Sequence, residues 1–370
     1  MCNIGILTFH CADNFGAMLQ AYGLKQYLVS KKMDVEIVRY EPPFMTGRHW
    51  WIPYIPRDGL RSILDSAQRG WRSNLWWGKN FFIKRKHMRC FRKKYLTSSG
   101  RKKLFFSVQM RRLPYQYYVV GSDQIWNPDI TLGLKKVYFG NFRSNRKKKV
   151  IAYAASLGKE SLESKYDEEF SELLQSVDCV SVRESVSIPY IRQFYGDEIL
   201  AVPDPVFLLQ NEQWKKIEKV PDRDRYIFVY MTEKNKQLIE YVKELAKRKQ
   251  LLIVKIEGWK DLVGENIIAD DTAGPSELLG YIHKADYVIT NSFHGVAFSI
   301  IYHKQFLAFQ HSSANARISN ILQLCGLESR LYRDDRDFEI DLEIEWIDVK
   351  KCIEDQIKVA DKYLVENLDF

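Results

Sequence analysis

The apolar and polar positions alternate in long blocks: a short unbroken apolar run, a polar loop, then a stretch with helical period. The first such block opens with Ile4-Gly5-Ile6-Leu7-Thr8-Phe9. It continues through a polar loop from His10 to Asn14, a helical pattern over Ala17 to Ser30, and a second apolar run at Val35-Glu36-Ile37-Val38. Strand, crossover helix and strand at this spacing predict a βαβ unit, hence parallel pairing. Further strands are predicted at Tyr117 to Val120, Val150 to Tyr153 and Cys179 to Val182, with an amphipathic helix over Asp167 to Ser176 between the last two. The pattern pauses at Val202-Pro203-Asp204-Pro205. A fresh series then begins with a strand at Tyr226 to Tyr230, a helix over Lys236 to Lys249 and a strand at Leu251 to Val254. It closes with a helix over Pro275 to Lys284 and a strand at Tyr287 to Thr290. Near the end, Ile353, Ile357, Ala360 and Leu364 recur at helical spacing and predict a terminal helix.

These blocks predict an α/β chain of two Rossmann-like domains, residues 1–208 and 209–345, with a C-terminal helix over 346–370 packing back on the body. A length of 370 residues suits two cores of ordinary size, and two domains imply a cleft. The first domain is interrupted at about 43–113, a stretch that carries Trp50, Trp51, Trp71, Trp76 and Trp77.

Charge changes the picture in one place. The net charge is +9, but residues 43–113 hold 18 Lys or Arg against Asp58 and Asp65, a local +16, which leaves −7 for the rest. The basicity therefore belongs to the insertion. It suits peripheral contact with an acidic carrier lipid, an anionic membrane face or an acidic polysaccharide. The plainer alternative is an insertion whose aromatic residues pack on the domain while its cations stay solvated. No run approaches the ~18 apolar residues of a membrane span, and the N-terminus has no basic leader, so the expected location is the cytoplasm, with the inner membrane face in reach of the basic segment. The six cysteines are scattered without metal-site or CxxC spacing, so neither a disulfide framework nor a metal is expected.

Candidate chemistry gathers in the loops that follow four of the strands. Asn291-Ser292-Phe293-His294-Gly295 lies between a strand and an apolar helix over Val296 to Tyr302, where a helix N-terminus favours an anion and a histidine can carry a proton. A loop histidine can equally be a structural hydrogen-bonder. Arg183 ends another strand and suits a carboxylate or phosphate, or an ion pair with Glu184. Asp13, Asn14, Gly16 and Gln20 follow the first strand, in a loop that contacts a sugar or phosphate or serves as a helix cap. Asp123, Gln124, Trp126 and Asn127 combine amides, a carboxylate and an aromatic face, as a sugar site does, or form a simple polar turn. Ligands of open parallel sheets bind beyond the carboxyl ends of the strands, so the four loops together predict one shared cleft.

The same stretches resemble the polysaccharide pyruvyltransferases. The match runs through Gly5 to Phe9, Asp13-Asn14-Phe15-Gly16, Leu19 to Tyr22, Gly121 to Asn127, Tyr153 to Gly158, Ser181-Val182-Arg183-Glu184, Asp204-Pro205 and Asn291 to Gly295. Asn315 to Ile318 and Leu324 to Leu327 complete it. The resemblance implies a GT-B-like arrangement, phosphoenolpyruvate as co-substrate with no bound cofactor, and a pyruvate ketal bridging two hydroxyls of a sugar, free or carried on a lipid or nucleotide. It implies His294 as catalytic acid and Arg183 as donor ligand, with Gly295 beside them. Some members carry a basic residue where this chain has Ser292, and Arg317 is the expected substitute. The rival readings are a GT-B glycosyltransferase using a nucleotide sugar and a non-catalytic protein binding an anionic surface through the basic segment. Nucleic acid is not an expected partner.

Overall fold

Strands with apolar side chains on both faces must be covered on both sides, and the chain meets that demand twice. A computed structural model describes residues 4–42, 45, 79–98, 102–256, 261–311, 315–333 and 340–368. The first sheet contains β1 (Ile4–Leu7), β2 (Val35–Ile37), β3 (Tyr117–Gly121), β4 (Lys149–Ala155), β5 (Cys179–Val182) and β6 (Ile199–Ala201) in the order β2-β1-β3-β4-β5-β6. The second contains β7 (Tyr226–Tyr230), β8 (Leu252–Ile256), β9 (Ile267–Asp270), β10 (Tyr287–Thr290) and β11 (Gln305–Ala308) in the order β11-β10-β7-β8-β9. Every pairing is parallel. Two Rossmann-like domains result. In each the chain reverses its direction of winding at one place, beside β1 and β3 in the first sheet and beside β7 and β10 in the second.

The sequence pattern does not predict β6, β9 or β11. All three are edge strands of three or four residues, and β9 is nowhere fully buried, so none carries the long apolar run of a central strand. Two helices begin earlier than the pattern indicates. Helix Phe15–Ser30 starts two residues before its periodic stretch because Asn14 Oδ1 accepts the Ala17 N–H at 2.9 Å and caps it. Helix Phe293–Ile301 already includes His294 and Gly295 in its first turn.

Helix Phe15–Ser30 is buried on most of its surface through Leu24, in keeping with the mostly apolar sequence of that stretch. One side lies on the first sheet and the other on the second domain. Tyr22 meets Trp214 with ring centroids 5.4 Å apart, and Phe15 meets Tyr230 at 6.1 Å. Burying a large apolar side chain is worth roughly 1.5–3 kcal/mol. One continuous core therefore runs through both domains, and it holds them as a unit rather than as freely hinged lobes. The described end of the insertion joins this core: a helix over 79–91 runs into the π-turn Arg92–Leu96, with Met88, Phe91 and Leu96 buried. His87 Nδ1 lies 2.8 Å from the Thr272 carbonyl of the second domain. The five tryptophans named above lie outside the described residues. Helix Trp346–Leu368 then returns to the first domain, where the Tyr363 hydroxyl donates to Ala152 O at 2.9 Å and Tyr27 donates to Asp361 at 2.5 Å. Among the described residues no helix is long and apolar enough to cross a membrane.

The close approach at Gly23 makes the packing of helix Phe15–Ser30 against the segment Pro205–Leu208 testable. A Cβ there would lie 2.5 Å from the Pro205 carbonyl oxygen, a backbone atom that cannot swing away, while Gly264 has nothing nearer than 3.4 Å. Gly23→Ala is expected to lower unfolding stability by about 1–3 kcal/mol in urea titrations, and Gly264→Ala to stay within about 0.5 kcal/mol of wild type.

Candidate active site

The carboxyl ends of β1, β3, β7 and β10 face one another across the domain interface. A cavity of about 420 Å³ opens there, with Asp13, Asn14, Asp123 and Gln124 on one wall and Thr232, Asn291, Ser292, His294 and Arg317 on the other. Both reversals of winding meet in it, the position at which open α/β sheets leave a crevice for ligands.

Local bonds fix the second wall. Thr290 Oγ1 donates to Tyr230 O at 2.6 Å and accepts the Ser292 N–H at 3.0 Å. Asn291 Oδ1 accepts the Thr232 N–H at 2.8 Å, and its Nδ2 donates to Glu233 O at 2.6 Å. The ends of β7 and β10 are thus tied together, and helix Phe293–Ile301 leaves them at a set angle. Gly295 permits the tight departure, since a Cβ there would lie 2.3 Å from Thr290 Oγ1. Its role in this structure is to face the strand, while Ser292 lines the cavity.

His294 is buried on the first turn of that helix, against the helix start of the other domain. A Cβ on Gly16 would lie 2.1 Å from His294 Nδ1, so glycine is required for the contact. Nε2 stands 3.9 Å from Asp204 Oδ2, too far for a hydrogen bond, and has no hydrogen-bonding partner among the described residues. Burial pushes the imidazole below its ordinary value. Asp204 and Asp123 pull it up, while Arg183 and Arg317 push it down. The ring is therefore neutral near pH 7 with a carboxylate beside it.

The two arginines differ in what surrounds them. Arg183 has a protein partner at each guanidinium nitrogen: Nε donates to Glu184 Oε1 at 3.0 Å, Nη1 to Asp204 Oδ2 at 2.8 Å and Nη2 to Ser156 Oγ at 3.3 Å. Burial alone would lower its pKa, but the Glu184 and Asp204 carboxylates outweigh that and hold it above the ordinary arginine value. It stands behind the cavity wall, not on it, because two buried carboxylates claim its donors. Arg317 lines the cavity instead. Its Nε has no hydrogen-bonding partner among the described residues, and burial, reinforced by Arg183, pushes its pKa down to about 10. A buried cation so weakly compensated is a place for an anion.

The remaining predicted residues divide in the same way. Asp13, Asn14, Asp123 and Gln124 reach the cavity. Asp13 is already paired with Arg92 at 2.7 Å, and Asn14 doubles as the helix cap. Trp126 is core: it stacks on Phe139 at 5.1 Å and donates Nε1–H to Tyr138 O at 3.0 Å. Asn127 caps the turn Pro128–Thr131 and donates to Gln124 Oε1 at 2.7 Å. Gln20 is buried beneath the loop, donating to Thr8 Oγ1 at 2.7 Å. Sequence reasoning missed Asp204 as a site residue, although it stands at the pause between the domains where two prolines flank an acid. Thr232 and Asn291 were not singled out either, and their strand-end positions were the available signal.

This is a two-domain α/β protein whose interdomain cleft combines a neutral histidine, a carboxylate behind it and an under-neutralised arginine. The sequence profile of the polysaccharide pyruvyl transferases matches residues 14–313, and the chain belongs to that family of transferases. No curated protein matches it in sequence. Among solved structures, a UDP-N-acetylglucosamine 2-epimerase of Rickettsia bellii aligns with TM-score 0.48 and 11% identity, over 99% of this chain and 96% of that one. The corresponding epimerase of Methanocaldococcus jannaschii gives 0.46 and 10%, over 96% and 92%. A heptosyltransferase of E. coli with ADP gives 0.41 and 8%, over 96% and 99%.

Two stability measurements follow from the charges. Arg183→Ala would leave Asp204 and Glu184 buried without their cation and is expected to cost about 3–5 kcal/mol, whereas Arg317→Ala should cost less than about 1 kcal/mol or stabilise the protein. Urea titrations of both variants check this contrast. His10, in the loop after β1, is fully buried and pushed down to about 4, first by burial and then by Arg92 against a hydrogen bond to Thr8. Its unfolded form protonates near 6.5, so acid favours unfolding: stability is intact above about pH 6.5 and falls as pH drops toward about 4, by roughly 1.4 kcal/mol per unit. The expected result in urea titrations at pH 7 and 5 is a shallower pH slope for His10→Gln than for wild type.

Proposed function

We propose that the protein transfers the pyruvyl group of phosphoenolpyruvate to two hydroxyls of a sugar in a polysaccharide or its precursor, forming a ketal and releasing phosphate. The observation that carries this reading, within the family assignment, is the presence of His294 and Arg317 on one cavity wall with Asp204 behind the imidazole. Phosphoenolpyruvate is a compact anion with a weakly basic methylene carbon. Its activation calls for a cation at the carboxylate or phosphate and an acid at that carbon.

The residues suggest a sequence. The donor's anionic groups are held at Arg317 and the start of helix Phe293–Ile301. Neutralising Arg317 removes one of the influences that depress His294, and the arriving negative charge adds another in the opposite direction, so the imidazole takes up a proton when the donor binds. His294 then gives that proton to the methylene, and C2 becomes oxocarbenium-like. One sugar hydroxyl adds to C2 and returns its proton to His294. Phosphate leaves with the C2–O bond and its electron pair, and the second hydroxyl closes the ketal as its proton passes to phosphate. One hydroxyl proton is thereby accounted for in the new methyl group and the other in hydrogen phosphate. Asp204 stabilises the imidazolium, and Arg183 is a positioning residue that holds Asp204. Asp123, Gln124 and Asn14 supply the sugar-facing wall.

His294→Ala is expected to reduce acceptor-dependent phosphate release at least about 10²-fold with the melting temperature retained. Arg317→Ala should act mainly by raising the KM for phosphoenolpyruvate. Turnover is followed with phosphoenolpyruvate and a panel of nucleotide-linked and lipid-linked sugars, by phosphate release and by the mass gain of a pyruvyl ketal. A His294→Ala variant with wild-type turnover, or transfer of sugar from a nucleotide sugar without use of phosphoenolpyruvate, would overturn the reading.

A further inference from the structure

A second cavity, of about 430 Å³, lies beside the first and shares Asp13 with it. Its walls carry Arg85, Lys86, Arg89, Arg92 and Lys103 against Asp13 and Glu41, five cations to two carboxylates, an excess of three positive charges. The carboxylates are satisfied within the protein: Asp13 accepts from Arg92 at 2.7 Å and Glu41 from Lys103 at 2.7 Å. Lys86 and Arg89 are exposed, and neither has a carboxylate partner among the described residues. Arg85, Arg89 and Arg92 recur at spacings of four and three, so the helix over 79–91 and the turn after it present them along one side. Phe82 and Phe105, 68% and 41% exposed, also line the cavity and give it an apolar lip.

We propose that this groove holds the diphosphate of a diphosphate-linked sugar acceptor. The inference rests on the pyruvyl-transfer reading for the identity of the sugar's reaction, but the site itself is argued from its own residues. Guanidinium forks bind phosphoryl oxygens through paired hydrogen bonds. A diphosphate diester carries two negative charges, which the excess of three accommodates. The groove ends inward at Asp13, beside the cleft of His294, so a diphosphate in the groove directs the attached sugar toward that cleft. Such an end suits a compact dianion better than a long acidic polymer, which would need cations continuing past Asp13. Phe82 and Phe105 then face whatever lies on the far side of the diphosphate, a polyprenyl chain or a nucleoside.

Calorimetric binding of inorganic diphosphate, UDP and farnesyl diphosphate to the full chain tests the site without requiring turnover. Wild type is expected to bind at least one of the three, and the double variant Lys86→Ala/Arg89→Ala, altered at two exposed positions, to bind at least about tenfold more weakly at an unchanged melting temperature. His294→Ala should retain wild-type affinity. Tighter binding of farnesyl diphosphate, further weakened by Phe82→Ser, identifies a lipid carrier; tighter binding of UDP identifies a nucleotide carrier. The proposal is overturned if no diphosphate binds, if the double variant binds as wild type does, or if His294→Ala abolishes binding, which would place the ligand in the main cleft. Preference for an acidic polysaccharide over all three probes would overturn it as well. Diphosphate binding that survives while no sugar is pyruvylated would sink the transfer reading and leave the groove standing.

Discussion

The imidazole of His294 rests on Gly16 with no room for a β-carbon between them. One partner opens a helix of the second domain and the other opens a helix of the first, so this contact joins the two sheets at the point where their strands end. Helix Phe15–Ser30 holds its side of the contact by burial of most of its surface through Leu24, and the Thr290 and Asn291 bonds hold the other. The cleft is a product of both domains together. A side chain at position 16 would have to displace either the helix or the histidine.

Around that contact two buried arginines stand in different surroundings. Arg183 is consumed by Glu184, Asp204 and Ser156, which places Asp204 behind His294 without hydrogen-bonding it. Arg317 has no comparable clamp among the described residues and lies on the cavity wall. An ion pair fixed by geometry and a cation depressed by burial thus serve different ends in one small volume. In the proposed reaction the first positions the acid's carboxylate, and the second couples donor binding to protonation of the histidine.

Much of this was legible in the sequence because central parallel strands are unbroken apolar runs. Cys179–Val182, Tyr226–Tyr230 and Tyr287–Thr290 are strands at their predicted bounds, and the polar residues after β1, β3 and β10 line the cleft. Of the edge strands, β2 was legible at Val35–Ile37, whereas β6, β9 and β11 were not, being three or four residues long with no sustained apolar run. Nor could the sequence say which of several strand-end polar groups would be spent on the fold. Arg183, Trp126, Asn127 and Gln20 all sit near the ends of strands, yet their hydrogen bonds go to protein atoms. Spacing along the chain reports which loop a residue occupies, whereas partner choice depends on carboxylates and carbonyls brought in from distant segments, as Asp204 is brought to Arg183.

In the proposed reaction His294, in a cleft shared by both domains, protonates the methylene of phosphoenolpyruvate as a sugar is pyruvylated. The most direct measurement is the isotopic content of the product formed in D₂O, read by mass spectrometry and NMR. The expected product is a sugar ketal whose new methyl group carries one deuterium, delivered from an exchangeable acid. A ketal with an undeuterated methyl group, or a product with no pyruvyl group at all, would contradict it.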